Sequence, residues 1–339
     1  MNKPLHVFAV ITAVCTFFLI FAGGMVTSTG SALAVPDWPL SYGQLMPPMV
    51  GGIFYEHGHR MIASLVGLLT VILAIWLWRK ESRRWVKMLG IVAVAAVILQ
   101  GTLGGLTVLL LLPTAISVSH ASLAQSFFCL VSAIALFTSS WWHNAGPGLD
   151  ETASKPALKM AIILTGSVFV QLVLGAVMRH TQSGLAVPDL PFAYGSLFPS
   201  LSPDALEQYN RILLQTDIRI AADGPITASQ VLIHVLHRYW AVAVTVIAGL
   251  MFFRIRNIGS GNSRLTGIAW FIASIILVQV SLGVFTVLSR RSELITTAHV
   301  ATGALLLVAS VLLVLHIIRL GRFSFSPSHA WFRREALAR

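Results

Sequence analysis

The segment Glu56-His57-Gly58-His59-Arg60 sets a carboxylate, two imidazoles and a guanidinium directly before an apolar run from Met61 to Trp78. Ionisable groups at the mouth of a membrane helix are expensive to place there, so function is the default reading. Glu56 and His59 are three apart and share a helical face. His57 is out of phase with them and reads as a headgroup-level residue. A second copy, His234-Val235-Leu236-His237-Arg238, keeps the His-Arg pair and has His234 where the first has Glu56. Two further histidines, His120 and His299, follow His59 and His237 by 61 and 62 residues.

One histidine in a membrane span is as readily an interhelical hydrogen-bonding residue as a ligand. Four in two matched pairs are harder to explain by packing. Imidazole pairs on facing bundle helices are a standard way to hold haem iron axially. Zinc fits less well, because it normally takes more protein ligands than two. Beside the first pair only, Glu56 could stabilise positive charge, orient water or move protons; the bland reading is an interfacial carboxylate paired with Arg60. Arg60 and Arg238 stand one residue beyond a ligand candidate. They either reach haem propionates or snorkel to headgroups, and the repetition favours propionates. Gly101, Gly104, Gly105, Gly283 and Gly303 permit close helix approach or leave room for a flat macrocycle. His6, His143, His316 and His329 fall on the opposite side and carry no chemistry. His180 is read as an outer-loop residue.

The elements that must position these groups are membrane helices. Hydrophobic residues make up 56% of the chain and charged residues 10%, with a mean hydropathy of +0.81; soluble proteins carry about a quarter charged residues. Eight apolar runs are long enough to span a bilayer, near 5–27, 57–78, 86–108, 114–139, 157–178, 231–253, 265–288 and 294–318. Placing the N-terminus, the loops 79–87, 140–159 and 254–264 and the tail from Arg319 on one side gathers 16 of the 23 lysines and arginines there. The positive-inside rule then makes both termini cytoplasmic, and the net charge of +11 reflects topology rather than nucleic-acid binding. Cys15 and Cys129 lie within apolar runs, which gives neither a disulfide framework nor a thiolate metal site. The first span reads as an uncleaved helix. It starts too close to Met1 for an Arg-rich organellar presequence, which favours a bacterial cytoplasmic membrane. The second, fourth, sixth and eighth spans run inward in parallel and hold the four histidines at one depth, near the extracytoplasmic side.

The chain is duplicated. Leu33-Ala34-Val35-Pro36-Asp37-Trp38-Pro39 recurs 152 residues later as Leu185-Ala186-Val187-Pro188-Asp189-Leu190-Pro191, and Gln100, Gly104 and His120 recur 179 residues later as Gln279, Gly283 and His299. The difference marks an insertion between Ser200 and Gln230. Within it Ser202 caps a short helix opened by Pro203, whose apolar face of Leu206, Tyr209, Ile212 and Leu213 suits a membrane surface. The expected fold is an all-α integral membrane protein with eight transmembrane helices in two tandem pseudo-symmetric four-helix bundles. Residues 1–145 form the first half, 146–319 the second with an extended outer loop at 179–230, and 320–339 a cytoplasmic tail. Four spans per half relate the halves by an axis along the membrane normal.

Eight spans in two halves, Glu56-x-x-His59-Arg60, His237-Arg238, His120, His299 and the Gly-rich loops with Pro-Asp-Trp-Pro together resemble the haem A synthase family, nearly throughout residues 1–318. The resemblance implies an oxidoreductase that oxidises a ring methyl of haem O to the formyl group of haem A by successive hydroxylations, for cytochrome oxidase biogenesis. It implies that His59 and His120, with Arg60, border the substrate haem O; that His237 and His299, with Arg238, hold a cofactor haem b; and that Glu56 is catalytic. Haem O synthase and oxidase assembly factors are the implied partners, with an unspecified membrane electron acceptor, room for a homo-oligomer and no nucleic acid. Some relatives carry a cysteine pair in the first outer loop, where this chain has Val35 and Ser41, so a mechanism needing that disulfide does not transfer. A dihaem b-type carrier reacting with quinone would use the histidines equally in both halves, which the Glu56/His234 difference opposes. A transporter would place polar groups along a central path, whereas here they cluster at one depth.

Overall fold

A computed structural model of the chain describes residues 2–146, 148–216, 218, 224–258 and 262–321. The expected tail, apart from Leu320 and Gly321, lies outside them, as do Arg219 and His329. The described residues form ten α-helices and no strand: α1 (Lys3–Ser28), α2 (Gly52–Lys80), α3 (Arg84–Leu109), α4 (Thr114–Thr138), the short α5 (Ser140–Asn144), α6 (Glu151–His180), α7 (Pro203–Gln215), α8 (Ala228–Ile258), α9 (Ser263–Leu288) and α10 (Glu293–Leu320). All but α5 and α7 are long and apolar enough to cross a membrane. At ~1.5 Å rise per residue, these helices of 25 to 31 residues outlast a hydrocarbon core and carry their polar ends past it. This is an all-α integral membrane protein.

Helices α1 to α4 pack as a closed ring in the order α1, α2, α3, α4, and α6, α8, α9 and α10 form a matching ring. The rings meet where α10 lies against α1 and α4, and α4 against α6. Helices α4 and α10 are accordingly the most enclosed. Around Leu73, Leu77, Val131 and Ile134 the first ring has one apolar core, which also takes in Ala304 and Val308 from α10. Around Leu164, Met251, Ile255 and Leu313 the second has another. Lipid-facing side chains such as Leu68, Ile75, Val246 and Leu277 stay exposed, the arrangement a bilayer solvent permits because helices satisfy their own backbone.

The inserted segment does form a helix. The hydroxyl of Ser202 accepts the N–H of Ala205 and Pro203 opens α7. Its apolar face packs on the protein, with Tyr209 and Leu213 buried against Leu185, Ala186, Val187 and Val235. The Tyr209 ring stacks on Tyr194 at 3.7 Å and 5°, and Asn210 Oδ1 accepts the N–H of Ile226. Helix α7 thus covers the second outer loop, while its first-half counterpart has no such cover and Tyr42 is 52% exposed. Tyr209→Ala should cost about 1 kcal/mol for the aromatic pair, in addition to lost burial. Measured by limited proteolysis, cleavage within 185–200 should accelerate while the first loop is unaffected.

Candidate functional site

The two outer loops are built alike. The Asp37 carboxylate accepts the N–H groups of Tyr42 (2.7 Å) and Gly43 (2.8 Å), and Asp189 accepts those of Tyr194 and Gly195 at 2.9 and 3.0 Å. Both turns place a tyrosine and then a glycine at positive φ, 54° and 69° in the first and 52° and 76° in the second. Each tyrosine hydroxyl then donates to the carbonyl of Ala34 or Ala186 at 2.7 Å. Two N–H donors hold the Asp37 carboxyl below its ordinary value of 3.8, with the Arg60 charge adding to the effect.

Arg60 and Arg238 fasten these loops to the helices beneath. Arg60 donates to the carbonyls of Asp37 (2.7 Å), Leu40 (2.8 Å) and Val35 (3.2 Å). Arg238 donates to Asp189 (2.8 Å), Phe192 (3.1 Å) and Val187 (2.5 Å). Glu56 is buried, with Oε2 accepting the N–H of Val35 at 2.8 Å and Oε1 receiving Arg60 at 2.7 Å. In the second half His234 Nδ1 accepts the equivalent N–H, from Val187, at 3.2 Å. Glu56 and His234 therefore occupy one structural position, and only the first carries a negative charge.

Each of the four histidines lies against a glycine of the preceding membrane-spanning helix. A Cβ on Gly23 would stand 3.0 Å from His59 Cε1, on Gly104 3.1 Å from His120, on Gly175 3.1 Å from His237 and on Gly283 3.2 Å from His299. Four residues before these glycines stand Leu19, Gln100, Gln171 and Gln279. The amides of Gln100 and Gln171 donate to the carbonyls of His120 and His237, both at 3.0 Å. The His237 and His299 rings are 6.5 Å apart between centroids and inclined at 71°. The Nδ1 atoms of His59, His120 and His299 are enclosed without a hydrogen-bond partner. Among the described residues no group of three or more His, Cys, Asp or Glu could hold a metal ion, so the sites offer paired imidazoles and nothing resembling a zinc cage.

The remaining glycines part company: Gly105 takes the indole of Trp38, Gly303 takes Leu172 and Gln279, and Gly101 faces open space. Two histidines differ from expectation. His57 is buried in the protein rather than exposed at its surface, its Nδ1 2.8 Å from Ser41 Oγ and its Nε2 enclosed without a partner. The loop folds down on α2 and brings Ser41 to it; the second half has Ala193 and Val235 at these places. His180 is the last residue of α6 rather than part of the loop. Sequence reasoning singled out Gly104 and Gly283, which lie against His120 and His299, but missed the Asp-Tyr-Gly turn and the equivalent roles of Gly23 and Gly175, although these were present as repeats.

Residues 6–52 and 49–311 match the COX15-CtaA family, described as cytochrome oxidase assembly protein. The chain belongs to this family. Glu56, His59, Arg60, His120, His237, Arg238 and His299 all fall within the matched residues. Haem A synthase of Halalkalibacterium halodurans is 31% identical over 210 residues, covering 60% of this chain and 68% of that protein. That of Alkalihalophilus pseudofirmus is 28% identical over 220 residues, covering 63% and 72%. That of Listeria welshimeri is 26% identical over 278 residues, covering 80% and 90%.

A carboxyl whose native pKa is depressed stabilises the fold above its unfolded value and loses that effect as pH falls through the native one. The thermal stability gap between the wild-type chain and Asp37→Asn should accordingly be full at neutral pH and close below pH 3.8. A gap that persists unchanged into stronger acid would show that the carboxylate does not hold the turn.

Proposed function

We propose that the chain is a haem A synthase, an oxidoreductase converting haem O to haem A for cytochrome oxidase assembly. In this reading the first half, with His59, His120 and Arg60, borders haem O. The second half, with His237, His299 and Arg238, holds a resident haem b, and Glu56 is the catalytic residue. The observation that carries the reading is the exchange of one buried carboxylate, Glu56, for His234 within two otherwise matching loop clamps. A carrier using both haems alike has no need of that exchange.

The donor set fits haem. Four imidazoles are pressed flat by glycines, and the rings of His237 and His299 leave room for one metal atom between them. A ligating histidine must be held in orientation by its surroundings, and here the glycine of the neighbouring helix limits how each ring can turn. When bound, haem iron supplies the redox chemistry of the successive hydroxylations. Glu56 lies on the same face of α2 as His59, about one turn away, with each carboxylate oxygen retaining a lone pair beyond its one hydrogen bond. It stabilises positive charge developing at the reacting methyl carbon and accepts a proton at Oε2. Arg60 keeps that carboxylate in place and holds the loop over it, which limits water at the outer end. With Val35 and Ser41 at the places of the relatives' cysteine pair, Ser41 is bonded to His57 and the clamp works without a disulfide.

The distribution of basic residues supports a topology with both termini in the cytoplasm and both haem sites near the outer face of a bacterial cytoplasmic membrane. Haem O synthase is the supplier, oxidase assembly factors receive the product, and the chain can assemble with its own copies.

In cells supplied with haem O, Glu56→Ala should lower haem A in extracts by roughly 10²-fold or more while the bound b-type spectrum persists. Haem b alone, with no conversion by the wild-type protein, would sink the enzyme assignment. Separately, His237→Ala, His299→Ala and Gly283→Val should each strip bound haem from the purified protein. Unchanged haem content in the two histidine variants would refute the cofactor site.

A further inference from the structure

Arg179, in the last turn of α6, crosses the seam between the two rings. Its NH2 donates to the carbonyl of Gly24 at 3.0 Å and to Ser28 Oγ at 2.7 Å, both in α1. Ser28 Oγ in turn lies 2.9 Å from Thr297 Oγ1 of α10. The guanidinium therefore sits one residue from Gly23, the glycine that backs His59. The carbonyl of the next residue, His180, is 3.5 Å from Thr114 Oγ1, at the start of the helix that carries His120. Arg291 reaches back to the same corner, with NH1 donating to Gln182 Oε1 at 3.2 Å, three residues beyond Arg179.

Among the described residues the ion pairs involve Arg60, Arg83, Lys155 and Arg211, and neither Arg179 nor Arg291. Both are half-buried, and a guanidinium partly withdrawn from water without an anion is costly. Local folding does not demand them. The first-half counterparts of Arg179 and His180 are Thr27 and Ser28, and those of Arg290 and Arg291 are Leu111 and Leu112. The leucines make the same turn at φ 57° and 62° that the arginines make at 52° and 68°. Arg60 and Arg238, the other cations near the sites, already donate to loop carbonyls.

We propose that Arg179, His180 and Arg291 form a carboxylate-binding site at the seam, taking a propionate of the haem in the first-half site. It rests on the haem reading of the histidine pairs. The second half thereby supplies the anion receptor for the ligand of the first, and the neutral Thr27, Ser28 and Leu112 leave the reciprocal place uncharged. Arg179 NH2 spends both its hydrogens on Gly24 and Ser28, which leaves Nε and NH1 each free to make a single charge-assisted hydrogen bond to a carboxylate.

The test titrates the full chain carrying His237→Ala and His299→Ala, so that only the first-half site remains, with protohaem and with its dimethyl ester. Protohaem should bind roughly tenfold or more tightly than the ester, as the loss of a charged hydrogen-bonding partner predicts. Adding Arg179→Gln and Arg291→Gln should lower protohaem affinity to that of the ester and leave the ester unchanged, while Arg179→Lys retains part of the preference. An undiminished preference in the double variant overturns the proposal. If that variant fails to fold, Arg291→Gln alone decides: a reduced preference supports the site and an unchanged one overturns it. Absence of any haem binding, with the second-half histidines intact as well, would instead bring down the haem reading and this inference with it.

Discussion

The outer half of the bundle depends on one packing constraint: an imidazole laid on the backbone of the preceding membrane-spanning helix where a Cβ would otherwise stand. With 3.0 to 3.2 Å from a virtual Cβ to the ring edge in all four cases, even alanine would force the ring or the helix to shift. The contact fixes the spacing of α1 to α2, α3 to α4, α6 to α8 and α9 to α10 at the depth of the histidines. It also removes rotational freedom from the histidine side chain. Preorganisation of this sort is what a precise site requires of its scaffold.

Above the histidines, the two loops solve a second problem, that of irregular backbone near a membrane. Unpaired carbonyls there are costly, and Arg60 and Arg238 each gather three of them. The same guanidinium in the first half also neutralises Glu56. A carboxylate can thus be buried at this depth because its partner is already held by the loop. In the second half the position needs only to accept the N–H of Val187, and a neutral imidazole does so without a charge. The two halves share a scaffold and differ in electrostatics, which is how duplication allows one site to specialise. Helix α7 extends the difference by covering the second loop alone.

Much was legible in the residues themselves. Apolar runs of bilayer length dictate helices because the hydrocarbon leaves the backbone no other partner, and their number and the duplication follow from reading alone. The four histidines, Glu56 and the Ser202-Pro203 helix start are patterns in residue type and spacing, and such patterns survive without coordinates. Composition also ruled out a soluble fold.

What tertiary structure decided concerns partners distant in sequence. Spacing could not say that each histidine meets a glycine on another helix, that Arg60 and Arg238 spend their donors on loop carbonyls, or that Ser41 descends to a buried His57. Nor could it place Arg179 across the seam against α1. These facts depend on how two rings of helices close and meet, because a side chain's burial and partners come from neighbours that the local sequence does not name.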